Sequence, residues 1–130
     1  MAKAKSATRR GERELAFQVL YGLTFTPARD IDDLRRVFRI SPDYLARWQD
    51  QEPPAYPSGF AWELVEGVWS KSEELDASIT SFSRNWRVDR MGRVELTLLR
   101  LAVYEITFRN DVPAKVAINE ALELSRQFGE

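Results

Sequence analysis

The apolar residues of this chain recur at helical spacing, and that period limits what it can fold into more than any other feature. From Glu14 onward, Leu15, Ala16, Val19, Leu20 and Leu23 form the i, i+1, i+4, i+5, i+8 stripe of an amphipathic helix with one buried face. Pro27 in "TPARD" stops it, because proline cannot continue the hydrogen-bond ladder. Asp30 is placed to cap a second, shorter helix with Ile31, Leu34, Val37 and Phe38 inward. Ser41 and Pro42 open a third piece as N-cap and first helical residue, and the proline-rich "QDQEPPAYPSG" follows as a surface loop. Ser58 then caps a long helix predicted from about Gly59 to Phe82, with Ala61, Leu64, Val65, Val68, Leu75, Ile79 and Phe82 inward.

The segment "VELTLLRLAVYEITF" is apolar almost all round, which predicts a central, largely buried helix. Leu98, Leu99 and Leu101 favour a helix, whereas Val103, Ile106 and Phe108 pull toward a strand. Asp111 and Pro113 in "RNDVP" mark the turn into a last helix, with Ala117, Ala121, Leu124 and Phe128 on one face and Val116, Ile118 and Leu122 flanking. Gly129 is placed to end it. There is no alternating strand pair with a hairpin signal and no internal repeat. The expected fold is all-α, a compact bundle of about five to seven helices.

At 130 residues the chain is long enough for one domain and too short for two. No apolar run approaches the ~18 residues that a membrane span needs. The start "MAKAKSATRRGER" lacks the apolar core of a secretory signal, so the expected location is cytoplasmic, with no membrane partner. The absence of cysteine excludes disulfides and thiolate chemistry, and the absence of histidine removes the commonest metal ligand and proton shuttle. No glycine-rich loop with a following lysine is present to cradle a nucleotide. The neighbouring carboxylates Glu63 with Glu66, and Glu73 with Glu74, read as solvated helix faces. No enzyme, metal or cofactor is expected.

Charge is unevenly spread. Residues 1–13 carry Lys3, Lys5, Arg9, Arg10 and Arg13 against Glu12 alone, a net of +4, so that a total of −1 leaves −5 for the rest. A slightly acidic chain thus hides a basic arm, and an anionic partner feels the local field within a Debye length of ~8 Å. Arg9 and Arg13 stand one helical turn apart and share a face, with Arg10 beside them. If Ser6 or Thr8 caps a helix beginning near Arg9, its positive dipole end adds to the field. The arm suits phosphate binding through steering and bidentate contacts, or is a solvated, frayed terminus. Tyr21, at the edge of the same helix's buried stripe, reads as a core-edge ring with a wet hydroxyl, or as a platform for an unstacked base. A second cluster, Arg84, Arg87, Arg90 and Arg93 around Trp86, forms either a patch or a set of ion pairs with acids such as Asp89 and Glu95. Asn119 either faces solvent or bridges to a neighbouring helix.

Three stretches carry a family pattern: "RRGERELAFQVLYGL", "LLRLAVYEI" and "DVPAKVAINEALELSRQFG". They resemble the NusB transcription antitermination factors, in which an arginine-rich start is followed by A-x-Q-x-L-Y and L-R-x-A-x-Y-E. The pattern closes with D-V-P-x-K-V-x-I-N-E-A-x-E-L-x-x-x-F-G. The resemblance implies an all-α fold of two small helical subdomains and RNA binding without catalysis. Residues 1–130 would form one such RNA-binding domain, with residues 1–8 as a flexible arm. The implied ligand is single-stranded boxA RNA of nascent ribosomal RNA leaders. The implied protein partners are NusE, a small-subunit ribosomal protein, and the RNA polymerase elongation complex. Some family members are homodimers when free, so a second copy is also an implied partner. By matching position, Arg9, Arg10, Arg13 and Tyr21 are the implied RNA-side residues. Glu95 and Arg100 fall in the segment that lies near the RNA and NusE in the family, Arg100 taken as RNA-side and Glu95 as partner-side. Lys3 and Lys5 of the basic arm join the RNA side by their charge. Gly11 stands where relatives are often basic. Family members also continue past the F-G with an acidic turn and a further helix, expected to cover Leu122 and Phe128 and to contribute to the NusE contact. Two other readings are a NusB-like module of a larger rRNA cytosine methyltransferase and a helical adaptor that binds only protein.

Overall fold

The computed structural model describes residues 8–82 and 90–129. Arg84, Trp86 and Arg87 of the second cluster, and Lys3 and Lys5 of the arm, lie outside the described residues. Among those described there are seven helices and no strand: α1 Arg9–Leu23, α2 Ile31–Arg39, α3 Pro42–Ala46, α4 Phe60–Ser70, α5 Ser72–Phe82, α6 Arg93–Phe108 and α7 Ala114–Phe128. The all-α expectation holds. None of the described helices is long and apolar enough to cross a membrane. The chain divides into two compact units, residues 1–65 and 66–130.

In the first unit the stripe of α1 is buried as its period requires, with Phe17 joining Leu15, Ala16, Val19, Leu20 and Leu23. Thr24 ends the helix, its hydroxyl donating to the Tyr21 carbonyl at 2.6 Å. The Asp30 side chain caps α2 by accepting from the Asp33 N–H at 2.8 Å. Leu34 and Phe38 are fully buried, while Ile31 and Val37 are half-exposed. Asp33 accepts from the Arg29 N–H at 3.0 Å and from Arg36 Nη2 at 2.9 Å. Those two donors, the backbone one foremost, hold its carboxyl below the usual aspartate range. Phe38 meets Tyr44 at 4.6 Å and Trp62 at 5.3 Å between ring centroids. Ser41 occupies the N-cap of α3, but its hydroxyl turns back to the Phe38 carbonyl at 2.6 Å instead of capping. The proline loop is tied by Arg39, which donates to the carbonyls of Pro53 at 3.0 Å and Pro54 at 2.9 Å.

The long helix predicted from Gly59 to Phe82 is broken at Lys71 into α4 and α5. The cause is local. The Gly67 carbonyl accepts both the Lys71 N–H at 3.0 Å and the Ser70 hydroxyl at 3.3 Å, a serine back-bond of the kind that bends helices. Beyond the bend the period no longer points inward at its end, and Phe82 is 89% exposed.

In the second unit α6 packs against α5 and α7. It is a helix, but not the enclosed one expected: Thr97, Leu98, Leu101 and Glu105 are buried out of 16 residues, and Ile106 and Phe108 lie at the surface. On α7, Ala117 and Leu124 are buried, while Ala121 and Phe128 are half-buried. Val116, Ile118, Leu122 and Asn119 are exposed. Pro113 takes the N-cap rather than the first helical position, and Asp111 accepts two bonds from the Arg109 guanidinium at 3.0 and 2.9 Å.

Tyr104 of α6 lies so close to Gly67 that a Cβ there would fall 2.1 Å from Tyr104 Cζ. Glycine to alanine inside an exposed helix stabilises by roughly 1 kcal/mol. Here Gly67→Ala is expected to destabilise instead, by about 1–3 kcal/mol, since the Tyr104 ring is stacked on Phe108 with centroids 5.4 Å apart. Urea unfolding checks the sign; a stabilised variant would show that the ring swings away freely.

Candidate nucleic-acid interface

The first turn of α1 is where sequence and structure place positive charge. Thr8 is the cap: its hydroxyl accepts the Gly11 N–H at 3.0 Å, so the helix begins at Arg9, and Ser6 lies outside the described residues. That fixes Arg9 and Arg10 at the positive end of the helix dipole, and both are exposed.

Arg13 does not join them at the surface. It is 4% exposed, with its guanidinium carbon 5.1 Å from the centroid of the Phe60 ring. The sequence contains the signal: Arg13 precedes Ala16 and Phe17 by three and four residues, so it lies on the buried stripe one turn upstream. Arg13 is thus a packed side chain at the base of the cluster rather than an exposed member of it. Arg9 lies over the same Phe60 ring, its guanidinium carbon 3.8 Å from the centroid.

Glu12, the acid of the arm, is bound at a distance in sequence. Its carboxylate accepts from Arg47 Nη1 at 2.9 Å, and both side chains are 16% exposed. Arg47 thereby offsets the negative charge that stands closest in sequence to the arginines. Neither Arg47 nor Phe60 was recognisable as part of this site from spacing, because each reaches α1 across tens of residues.

Tyr21 is half-buried, as its place at the edge of the stripe implies. Its ring stacks on Phe17 at 5.9 Å and meets Phe25 edge-on at 5.2 Å, so two neighbours in the i, i+4 ladder hold it.

The other candidates lie in the second unit. Arg100 is engaged by Asp76, with Nε and Nη2 each donating at 2.7 Å to the two carboxylate oxygens. Its bidentate edge is therefore occupied by an internal acid. Glu95 is exposed and accepts the Gly92 N–H at 3.0 Å, closing the N-terminus of α6. Arg90 and Arg93, the described members of the second cluster, are both exposed.

The sequence profile of the NusB family matches residues 10–130. The chain belongs to the NusB family. It is 74% identical to the transcription antitermination protein NusB of Desulfovibrio desulfuricans, over 100% of this chain and 79% of that one. It is 58% identical to the protein of the same description from Nitratidesulfovibrio vulgaris strain Miyazaki F, over 98% of this chain and 81% of that one. The solved structure of T. maritima NusB superposes with a TM-score of 0.74 at 25% identity, covering 97% of this chain and 82% of that one. NusB relatives are described by a regulatory role rather than a reaction, in agreement with the expectation that this chain is not an enzyme.

Proposed function

We propose that this chain is a transcription antitermination factor that binds single-stranded boxA RNA of nascent ribosomal RNA leaders together with NusE. The assembly joins the RNA polymerase elongation complex. The observation that carries this reading is the exposed Arg9–Arg10 pair on the capped first turn of α1, beside a Glu12 whose charge Arg47 offsets. Arginine at a helix N-terminus offers phosphate both a planar donor fork and a favourable dipole. Tyr21, lower on the same helix, supplies a ring for an unpaired base. Arg100 serves in this reading through its pairing with Asp76, which braces α6 against α5. The relatives support antitermination over the methyltransferase module, since two of them, 74% and 58% identical, carry the former description over nearly all of this chain.

Titration of a boxA RNA oligonucleotide and a scrambled one, each with and without NusE, tests the reading. The boxA oligonucleotide is expected to bind weakly alone and more tightly with NusE, with log affinity falling by about 0.7 per phosphate contact against log salt. Equal affinity for both RNAs with NusE present, or no salt dependence, would overturn it.

A further inference from the structure

We propose that the cleft between α2 and the proline loop is a second RNA contact, in which a base lies on Tyr56 and a phosphate meets the arginines of α2. This rests on the RNA-binding reading of α1 and adds to it a subsite for nucleotides beyond those that α1 holds.

The cleft has a volume of about 170 Å³ and is lined by Asp32, Arg35, Arg36 and Arg39 of α2 and by Ala55 and Tyr56 of the loop. Its arginines come together through helical register: Arg35 and Arg39 are four apart and share a face, with Arg36 beside them. Each is held in place. Arg35 donates through Nη1 to Asp32 at 2.6 Å, and its guanidinium carbon lies 4.8 Å from the centroid of the Tyr56 ring. Arg36 donates through Nε and Nη2 to Asp33 at 3.2 and 2.9 Å. Arg39 spends the same two nitrogens on the carbonyls of Pro54 and Pro53. These bonds leave Nη1 of Arg36 and of Arg39, and Nε and Nη2 of Arg35, as donors for a ligand.

Arg39 makes the cleft suit an anion. Its carbonyl partners are neutral, so they fix the guanidinium without cancelling its charge. Glu52 stands 3.6 Å from it but is exposed, and a surface pair of that kind contributes little. Tyr56 supplies the other half of a nucleotide site. Its ring is 73% exposed, with Arg35 over it and no contact to another ring among the described residues. A base stacks on such a ring whatever its identity, because every base has a π-face. Tyr56 also precedes Phe60 by four residues, so their Cα atoms are at most ~14 Å apart. The Phe60 ring lies against Arg9 in the first turn of α1, so one strand can reach both places.

The test is titration of the full chain, with NusE, by a boxA RNA oligonucleotide and by the same RNA lengthened with a short run of uridines at one end or the other. One extension is expected to tighten binding about five- to tenfold. It should also steepen the salt slope by about 0.7, as one more phosphate is met. Tyr56→Ala is expected to remove that gain while leaving the affinity of the shorter RNA unchanged, and Tyr56→Phe to keep it. Comparing two RNAs on one variant cancels any general effect on the fold. If the shorter RNA binds, the proposal is overturned by an extension that gains nothing, by a gain without added slope, or by a gain that survives Tyr56→Ala or is lost in Tyr56→Phe. Failure of the unsubstituted chain to bind the shorter RNA would instead sink the reading on which this one rests, and this one with it.

Discussion

With Arg9 and Arg10 both replaced by alanine, the plot of log RNA affinity against log salt is expected to flatten by about 1.4, twice the increment for one phosphate on a single strand. The same relation makes the loss roughly 25-fold near 0.1 M salt and negligible near 1 M. Both side chains are exposed, so the substitution removes charge without opening the core. Arg13 supplies the contrast. Its guanidinium is buried, and replacing it is expected to lower thermal stability before it alters the slope. Fluorescence titration over a salt series, alongside a thermal melt, separates the two behaviours. A double variant with an unchanged slope would remove the first turn of α1 from the binding surface.

Phe38→Ala carries the other large effect. The ring is fully buried, and it is the member of its cluster that meets both Tyr44 at 4.6 Å and Trp62 at 5.3 Å. Its removal forfeits the transfer free energy, leaves a cavity and deletes two aromatic contacts, for a cost of about 3–5 kcal/mol. Set against a total stability of about 5–15 kcal/mol, that is a large fraction. The melting temperature is expected to fall by roughly 10–20 °C. Circular dichroism melting measures it, and a drop of only a few degrees would show that Tyr44 and Trp62 close over the gap.

What could be read from the chain itself was whatever depends on near neighbours. The α1 stripe, the Thr8 and Asp30 caps and the stop before Pro27 all follow from interactions spanning a helical turn or so. The break at Lys71 escaped because Ser70 is unremarkable in a helix until its hydroxyl turns to the Gly67 carbonyl. The exposure of α6 escaped because apolar composition reports what a helix can bury, not how many neighbours it has. Pairings across the chain are invisible to periodicity: Glu12 with Arg47, Arg100 with Asp76, and Arg9 with Phe60. For the candidate site, this means that the presence of an arginine cluster was legible, but not which members face outward. Arg13 shows the point, since charge and the four-residue spacing grouped it with Arg9, whereas its place one turn before Ala16 and Phe17 sets it inward.

The tie between Arg39 and the proline carbonyls has a consequence for α1. Residues 47–59 connect α3 to α4, a tether of thirteen residues leading to Phe60. Prolines within it lack the N–H groups that would let the segment pair with itself. By clasping Pro53 and Pro54, Arg39 anchors the segment ahead of the ring, and Arg35 over Tyr56 at 4.8 Å holds it again further on. A cation on α2 thus restricts how far the Phe60 ring beneath Arg9 can wander, although it is itself no part of the first turn of α1.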